Sequence, residues 1–509
     1  MTVPWLTILG LIPLVGSVVV VLFPKGGQLP KQLAFGISLL TLAVSIAVAV
    51  QFDSSKGYQF VEIHNWIAAF GVHYAVGVDG LGLLLVMLTT ILTPAVILAS
   101  WNDADAGRWS VNSFFAWVLA LEGLSIGVFI ATDVFLFYVL FEATLIPIYF
   151  LIGGFGGSQR SYAAVKFLLY SLLGGLLMLA SIVGLYVVSS DALGAPSYLL
   201  QDLMHVTMSQ DTGRWLFLGF FVAFAIKAPM WPLHTWLPDA TSEGTPGTSV
   251  LLVSVLDKVG TFGMMRFCLG LFPEASKWAS PVVMALAVIS VIYGGLLAIG
   301  QNDIRRLIGY TSISHFGFIV LGIFAFTSTS QSGSALYMFN HGLSTGALFL
   351  VTGFLISRRG SKMISDFGGV EKVAPVLAGT FLLAGLSSLS LPGLSPFVSE
   401  FLVLAGTFTR SITAAAIAVL GIVLAAIYIL FMYQRTMTGP VRESTKDIPD
   451  LKLREVAALA PLLALIVVLG FFPKPALDVI NPTVTSLLHH AGVSDPAPTV
   501  AADSGGPSK

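Results

Sequence analysis

The sequence predicts an all-α polytopic membrane protein with about 14 transmembrane helices. Of its 509 residues, 56% are apolar and only 10% are charged, whereas about a quarter of a soluble domain is charged. Apolar runs of about 20 residues, the length that spans a hydrocarbon core of about 30 Å, recur along the chain. Two of these runs are interrupted by prolines, a feature of transporter helices rather than of soluble bundles.

The predicted spans follow these runs in chain order. They lie near residues 3–23, 33–52, 78–100, 112–131, 133–153, 165–189, 214–234, 248–271, 280–300, 304–327, 334–357, 374–409, 412–434 and 453–473. The first has no basic segment before it and no A-x-A-like site after it, which favours a retained span over a cleaved signal peptide. The tail at 491–509 is rich in Pro, Gly and Ser, and we expect it to be disordered.

The basic residues predict the orientation. With the amino terminus outside, sixteen of the 25 basic residues fall in inside loops and six fall outside. Positive residues are enriched in cytoplasmic loops. The sequence therefore predicts that both termini are outside.

Two helices are predicted to be broken. A continuous helix over 374–409 would be about 54 Å long, well beyond the membrane core. The segments 391–396 (LPGLSP) and 227–232 (KAPMWP) each place two prolines where a helix cannot continue. Both breaks fall in the fourth helix of a five-helix unit, which indicates an inverted repeat. The predicted divisions are 1–110 (three helices), 111–272 (first repeat), 273–435 (second, inverted repeat), 436–490 (C-terminal helix) and the disordered tail.

Composition also excludes several functions. The 25 basic and 26 acidic residues are balanced, so the chain lacks the excess of positive charge typical of nucleic-acid-binding proteins. The single cysteine, Cys268, cannot form an internal disulfide or ligate an iron–sulfur cluster by itself. The glycines at 153–157 end an apolar helix and are predicted to form a bend, not a nucleotide site. We therefore expect no cofactor or metal on this chain.

Ionisable residues within the spans are the candidate functional residues. Inserting a charge at the centre of a span costs about 2.5–3.5 kcal/mol of free energy, so such residues are commonly functional. Burial moves the pKa of Lys and Glu towards neutral pH, and the pKa of histidine is already near neutral. Arginine does not release its proton in proteins, so it cannot act as a carrier. The set predicts a proton relay, with Glu122 as a weaker member. Its members are Glu142, Lys227, Lys258, His315, His341 and Glu400.

Each of these residues, taken by itself, could have a purely structural role. Glu142 and Lys227 could form an ion pair that only packs helices, but six such residues on six helices favour transport. Asp79 and Asp133 lie near helix starts and are predicted to be caps. Asp257 faces away from Lys258. It could equally be the partner of a residue on a second helix or a proton carrier.

The residues around these candidates resemble a known family. The segments are 141–154 (FEATLIPIYFLIGG), 224–240 (FAIKAPMWPLHTWLPDA), 305–318 (RRLIGYTSISHFGF), 340–350 (NHGLSTGALFL) and 391–401 (LPGLSPFVSEF). Nearly the whole chain is similar to the antiporter-like membrane subunits of proton-pumping NADH:quinone oxidoreductase, respiratory complex I.

The resemblance implies roles for the candidates. Glu142 and Lys227 match the pair that gates the channel, and Lys258 matches the central lysine. His315 and His341 match polar residues of the axis, and Glu400 matches the terminal carrier. Glu122 matches an acidic residue directed towards a neighbouring subunit. The implied path runs from Lys258 through water and His315 to Glu400.

Two positions depart from the family pattern. Many relatives have a second histidine where this chain has Thr241, which leaves His234 as the single histidine of that motif. Asp257 stands beside Lys258 where the family pattern has an apolar residue. A carboxylate at this position could keep Lys258 charged and so alter its role in proton transfer.

The resemblance also implies partners and a location. NADH, FMN, iron–sulfur clusters and quinone are expected on partner subunits, and the partners would be L-like and N-like antiporter subunits and small membrane subunits in the lipid bilayer. The Ala-, Val- and Gly-rich composition favours a bacterial plasma membrane. The alternatives are an Mrp-type sodium/proton antiporter subunit, the membrane arm of an energy-converting hydrogenase, a structural scaffold and a quinone-binding subunit.

Overall fold

The computed structural model describes residues 3–24, 27–104 and 109–495, and most of these residues are helical. We number the helices by membrane crossing. The first crossings and the hairpin between them are α1 (Trp5–Leu22), α2 (Leu29–Gln51), β1 (Gln59–Ile67), β2 (Val72–Val78), α3 (Gly80–Ala99), α4 (Val111–Ile130), α5 (Val134–Phe155) and α6 (Arg160–Leu193). The middle crossings are α7a (Gln210–Lys227), α7b (Trp236–Glu243), α8 (Pro246–Leu269), α9 (Pro273–Ile299) and α10 (Ile304–Phe324). The last helices are α11 (Ser328–Arg359), α12a (Pro375–Ser388), α12b (Ser395–Arg410), α13 (Ile412–Met437), α14 (Leu453–Phe471) and α15 (Lys474–His490).

Twelve of the described helices are long and apolar enough to cross a membrane. The two remaining predicted crossings are α7 and α12, each of which is divided into two segments. The gap in α7 follows Lys227 and the gap in α12 follows Ser388, so both predicted helix breaks are present. Together the twelve continuous helices and the two broken ones account for the fourteen predicted crossings.

The centre of the fold is formed by α8, α10 and α11. The membrane-spanning windows of α8 and α11 are 100% buried within the protein, whereas those of α1 and α2 are 28% buried. A helix that is surrounded by other helices can carry polar residues on any side, whereas a helix at the lipid boundary must be apolar on the side that faces lipid. The central helices can therefore carry the polar and ionisable residues of the chain.

The break in α7 leaves backbone groups without partners inside their own helix, and side chains from elsewhere satisfy them. The indole nitrogen of Trp236 donates to the carbonyl oxygen of Ile226 at 3.0 Å. The backbone N–H of Trp231 donates to Ser290 Oγ at 2.9 Å. Irregular backbone at membrane depth persists only where the protein supplies such partners.

The β1–β2 hairpin lies between the second and third predicted spans, where the sequence indicated no regular structure. Its strands are antiparallel, with His64 opposite Tyr74. The turn ends at Gly71, which has φ +66°, and a Cβ there would lie 2.0 Å from the carbonyl oxygen of Pro196. Glycine is required at this position by both the backbone conformation and the close approach.

The segment 436–490 was predicted as a single C-terminal helix, but it contains two. After α14, the chain turns at Phe472 and continues as α15, which packs against the start of α3. The approach is close, since a Cβ on Gly80 would lie 1.8 Å from the carbonyl oxygen of Val479. Most of the tail predicted to be disordered, residues 496–509, lies outside the described residues.

Candidate functional site

Lys258 is completely buried in α8 at the centre of the fold. Its Nζ donates to the carbonyl oxygen of Val253 at 2.8 Å and lies 2.6 Å from His341 Nδ1 on α11. Val253 lies in a π-helical segment, Leu251–Leu256, where the wider turn alters the usual backbone pairing. Such segments are frequent at functional sites. The lysine is thus held by one carbonyl and one histidine.

A line of polar side chains continues from His341. The ring centroids of His341 and His315 are 5.1 Å apart, and those of His315 and Tyr337 are 6.0 Å apart. The Tyr337 hydroxyl donates to Glu400 Oε2 at 3.0 Å, and the Ser390 hydroxyl donates to the same oxygen. We call Lys258, His341, His315, Tyr337 and Glu400 the relay.

Glu400 belongs to α12b and is 4% exposed. Asn340 fixes α12b against α11, because its side-chain amide donates to the carbonyl oxygen of Ser395 at 2.8 Å. Ser390 lies in the gap between α12a and α12b. The predicted break in α12 therefore brings a hydroxyl to the carboxylate that an unbroken helix would have placed elsewhere.

The order of the relay differs from the expected path. The family resemblance implied that His315 follows Lys258, but His341 is the histidine in contact with the lysine. Tyr337 was not among the candidates, although it lies four residues before His341 and hence on the same face of α11. That spacing was the available signal for it. Ser390 gave no signal, because its position depends on the geometry of the break.

A second group of ionisable residues lies beside the relay. We call Glu142, Lys227 and Asp257 the charge cluster. Lys227 Nζ lies 4.7 Å from the centroid of the Phe141 ring, a cation–π contact. Lys227 is within electrostatic range of both Glu142 and Asp257. Asp257 is also in range of Lys258, which links the two groups.

The members of the charge cluster make almost no direct polar contacts. Lys227 Nζ, Glu142 Oε1 and both carboxylate oxygens of Asp257 are buried and have no hydrogen-bond partner in the part of the chain that the structure describes. The expected Glu142–Lys227 contact pair is therefore a longer-range electrostatic pair. Burying a charge without a hydrogen-bond partner costs free energy. Helix packing alone therefore does not explain why ionisable residues occupy these positions.

Close helix packing positions the cluster. A Cβ on Gly260 would lie 2.6 Å from the backbone nitrogen of Ala228, so α8 contacts the break in α7 directly. A Cβ on Gly175 of α6 would lie 1.9 Å from Glu142 Oε1. Glycine at these two positions lets the backbone approach the ionisable groups.

Of the secondary candidates, Asp257 belongs to the charge cluster, whereas His234 and Glu122 belong to neither group. His234 is 3% exposed, and its ring lies 5.1 Å from that of Tyr293. Thr241, which replaces the second histidine of the motif, donates to the carbonyl oxygen of Leu237 in its own helix. Glu122 is 1% exposed, and the side chain of Thr93 lies close to its carboxylate.

The two predicted helix caps are confirmed. Asp79 accepts from the N–H of Gly82 and Asp133 accepts from the N–H of Leu136, each at 2.9 Å. Asp79 also forms a two-point ion pair with Arg266, at 2.6 and 2.8 Å. Arg266, which lies within the predicted span 248–271, is thus neutralised by a cap residue.

A cavity of about 540 Å³ lies near the ends of α8 and α11 that are distant from the relay. Its lining includes Pro246 and Gly353, and charged residues such as Arg305 and Glu243 surround its mouth. Ser254, Ser344 and Thr345 lie on α8 and α11 between this cavity and Lys258. Their hydroxyls are buried and have no partner among the residues described. No group of three or more His, Cys, Asp or Glu residues suited to a metal occurs in the described ranges.

This fold and site define a polytopic helical membrane protein with a line of ionisable residues across its interior. Residues 131–425 match the family model described as NADH:quinone oxidoreductase/Mrp antiporter, TM. The chain is 53% identical to NADH-quinone oxidoreductase subunit M of Mycobacterium tuberculosis, over 98% of this chain and 96% of the relative. It is 38% identical to subunit M of Rhodobacter capsulatus, over 97% of this chain and 99% of the relative. The chain belongs to the NADH:quinone oxidoreductase/Mrp antiporter family.

Two solved structures are similar to the fold. A chain of respiratory complex I from Thermus thermophilus gives a TM-score of 0.88 at 30% identity, covering 96% of this chain and 100% of that one. A chain of the Mrp complex from Dietzia gives a TM-score of 0.85 at 20% identity, over 96% of this chain and 100% of that one. The second similarity concerns the fold alone.

Proposed function

We propose that this chain is a membrane-arm subunit of an NADH:quinone oxidoreductase and that it moves protons along the relay. The observation that carries the proposal is the contact between Lys258 Nζ and His341 Nδ1, from which polar groups continue to Glu400. The names of the curated relatives support the assignment to the oxidoreductase. The redox chemistry, with NADH, FMN, iron–sulfur clusters and quinone, belongs to the partner subunits.

The proton path follows the atoms of the relay. Lys258 Nζ donates its proton to His341 Nδ1, and His341 Nε2 releases one towards His315. His341 Nε2 and His315 Nδ1 are both buried without a hydrogen-bond partner in the described structure, so each is available for exchange. The Tyr337 hydroxyl connects the histidines to Glu400, which releases the proton to the other side.

The charge cluster controls the relay through its field. Two unit charges at 4 Å interact by about 4 kcal/mol at an effective dielectric constant of 20. Asp257 lies within range of both Lys227 and Lys258. A change in charge at Glu142 or Lys227, transmitted from a neighbouring subunit through Glu122 or directly, therefore alters the proton affinity of Lys258.

Protons reach Lys258 from the cavity between the ends of α8 and α11. The unpaired hydroxyls of Ser254, Ser344 and Thr345 lie between the cavity and Lys258. The two helices are close there, since a Cβ on Gly346 of α11 would lie 3.4 Å from Ser254 Oγ of α8. Hydroxyls that both donate and accept can order a file of water molecules. The distance from Pro246 to Lys258 is about 18 Å along α8, roughly half of the membrane.

The direct test is Lys258→Ala in the intact complex, reconstituted in vesicles. We expect the number of protons pumped per NADH to fall by the share of this subunit, with the amount of assembled complex unchanged. Lys474→Ala is the matched control, since Lys474 has an 82% exposed side chain at the start of α15. An unchanged proton stoichiometry in Lys258→Ala would exclude the relay.

The alternative is an Mrp-type sodium/proton antiporter subunit, because the family description covers both classes. Identification of the proteins that copurify with the tagged chain separates the two. Flavin- and iron–sulfur-bearing partners support the oxidoreductase. A complex of membrane subunits without redox centres, with a sodium-dependent pH change in vesicles, would replace it with the antiporter.

Location and topology complete the proposal. The protein is a multi-pass membrane protein, and we assign it to a bacterial plasma membrane with both termini outside, as the distribution of basic residues indicates. The two five-helix units, 111–272 and 273–435, are proposed to be inverted repeats. Protease removal of terminal tags in spheroplasts tests the orientation.

A further inference from the structure

A groove on the lipid-facing side of the protein lies between α9 and α13. Its volume is about 600 Å³, and its apolar lining includes Met284, Val288, Ile289 and Ile417. From Lys277 to Ile289 the groove follows α9 for about 18 Å, whereas one leaflet of the hydrocarbon core is about 15 Å thick. Its length therefore matches one acyl chain.

Two cations lie at the mouth of the groove. Lys277 is in the first turns of α9, and Arg410 is the last residue of α12b. No carboxylate lines the groove within the described structure. Lys277 donates to the carbonyl oxygen of Ala491 at 3.1 Å and contacts Glu274 at 2.5 Å, but the Glu274 side chain is 76% exposed, and exposed pairs contribute little. The mouth is thus positively charged and the interior apolar.

Other features at the mouth favour the same ligand. The helix α13 begins there at Ile412, and the positive end of its dipole faces the mouth, although Ser411 Oγ already accepts from the N–H of Ala414. Beside the mouth, in a neighbouring pocket, Trp278 is 50% exposed, and the guanidinium of Arg214 lies over its ring at 5.0 Å. Exposed tryptophan and arginine are typical of the level of lipid headgroups.

We propose that this groove binds an anionic phospholipid. The phosphate contacts Lys277 and Arg410 at the start of α13, and one acyl chain occupies the groove along α9. The charge of the mouth distinguishes this ligand from a zwitterionic lipid, and the length of one leaflet distinguishes it from a transmembrane helix of a partner.

The test uses the intact complex in nanodiscs that contain a photoactivatable phosphatidylglycerol, with crosslinked peptides identified by mass spectrometry. We expect crosslinks in 277–289 and 410–417 of the unmodified chain. In the double variant Lys277→Gln, Arg410→Gln we expect about 25-fold weaker binding, since each contact of a cation with the phosphate contributes about fivefold. Lys474→Gln removes an exposed lysine elsewhere and is expected to leave the crosslinks unchanged.

A second variant tests the groove without altering the charges. Ala285 is an exposed groove residue, and Ala285→Phe is expected to displace the acyl chain and remove the crosslinks. Ala180→Phe, at an exposed position on α6, is the matched control. Equal crosslinking by photoactivatable phosphatidylcholine, unchanged crosslinking in the variants, or crosslinks to a partner subunit in place of lipid would each overturn the proposal.

Discussion

The relay and the charge cluster are adjacent but differ in how their ionisable groups are held. Lys258 and Glu400 both make direct hydrogen bonds, to His341 and to Tyr337 and Ser390. Lys227 and Asp257 are equally buried but have no such partner among the described residues. Proton transfer requires contact, whereas a field acts across a gap. This difference is the basis of our proposal that the relay conducts protons and that the charge cluster controls their transfer.

Replacement of the two lysines by arginine gives the largest expected contrast. Arginine keeps the charge but does not release its proton. If Lys227 acts through its charge, Lys227→Arg retains most of the pumping. If Lys258 carries the proton, Lys258→Arg lowers the transfer rate by about 100-fold or more. Proton pumping per NADH in vesicles is the measurement, and equal losses in both variants would remove the distinction.

Tyr337→Phe sharpens the description of the relay. The substitution keeps the ring but removes the hydroxyl that donates to Glu400. A hydrogen bond to a charged group is worth about 1.5–3 kcal/mol, so we expect proton transfer to slow by about tenfold or more. Tyr433→Phe is the control, since Tyr433 lies on α13 and packs against Phe381 rather than against the relay. Full activity in Tyr337→Phe would require a path around the tyrosine.

Ser390→Ala is expected to have a smaller effect. Ser390 shares Glu400 Oε2 with Tyr337, so one donor to that oxygen remains. The loss of one of two hydrogen bonds, about 1 kcal/mol, corresponds to about a fivefold change in rate. Ser387→Ala, in the last turn of α12a, serves as the control. An effect larger than that of Tyr337→Phe would show that the serine, not the tyrosine, connects to the carboxylate.

The Asp79–Arg266 pair provides a third kind of buried charge, one that is fully paired. We expect Asp79→Asn to lower stability by about 3–5 kcal/mol, because it leaves a buried guanidinium without its partner. Pumping per NADH in the complex that still assembles should not change. Thermal unfolding and pumping are measured on the same preparation, and a specific loss of pumping at normal stability would place this pair in the transport path.

The sequence predicted the crossings and the charged positions because each has a strong physical signature. Apolar runs reveal the spans, paired prolines reveal the breaks, and a charge such as Glu400 is conspicuous within an apolar run. Tyr337 and Ser390 carry no such cost and were missed. The order of His341 and His315 depends on how α10 and α11 are rotated, which a single sequence does not determine.

Two elements outside the central membrane region also escaped prediction. The β1–β2 hairpin depends on pairing between strands and on the close contact at Gly71, neither of which leaves a simple pattern. The helix α15 contains Pro482 in its interior, so its sequence resembles a loop more than a helix, although Ile480, Val484 and Leu488 form a continuous buried stripe. Its packing against α3 supplies the stability that local propensity does not.

Infrared difference spectroscopy of the intact complex during turnover tests the relay most directly. Protonation of Glu400 produces the carbonyl stretching band of a neutral carboxyl group, which Glu400→Gln removes and thereby assigns. We predict that this band appears in the unmodified complex and in Lys227→Arg but is absent in Lys258→Ala. A Glu400 band of full size in Lys258→Ala would show that protons reach the carboxylate by another route, and it would contradict the relay.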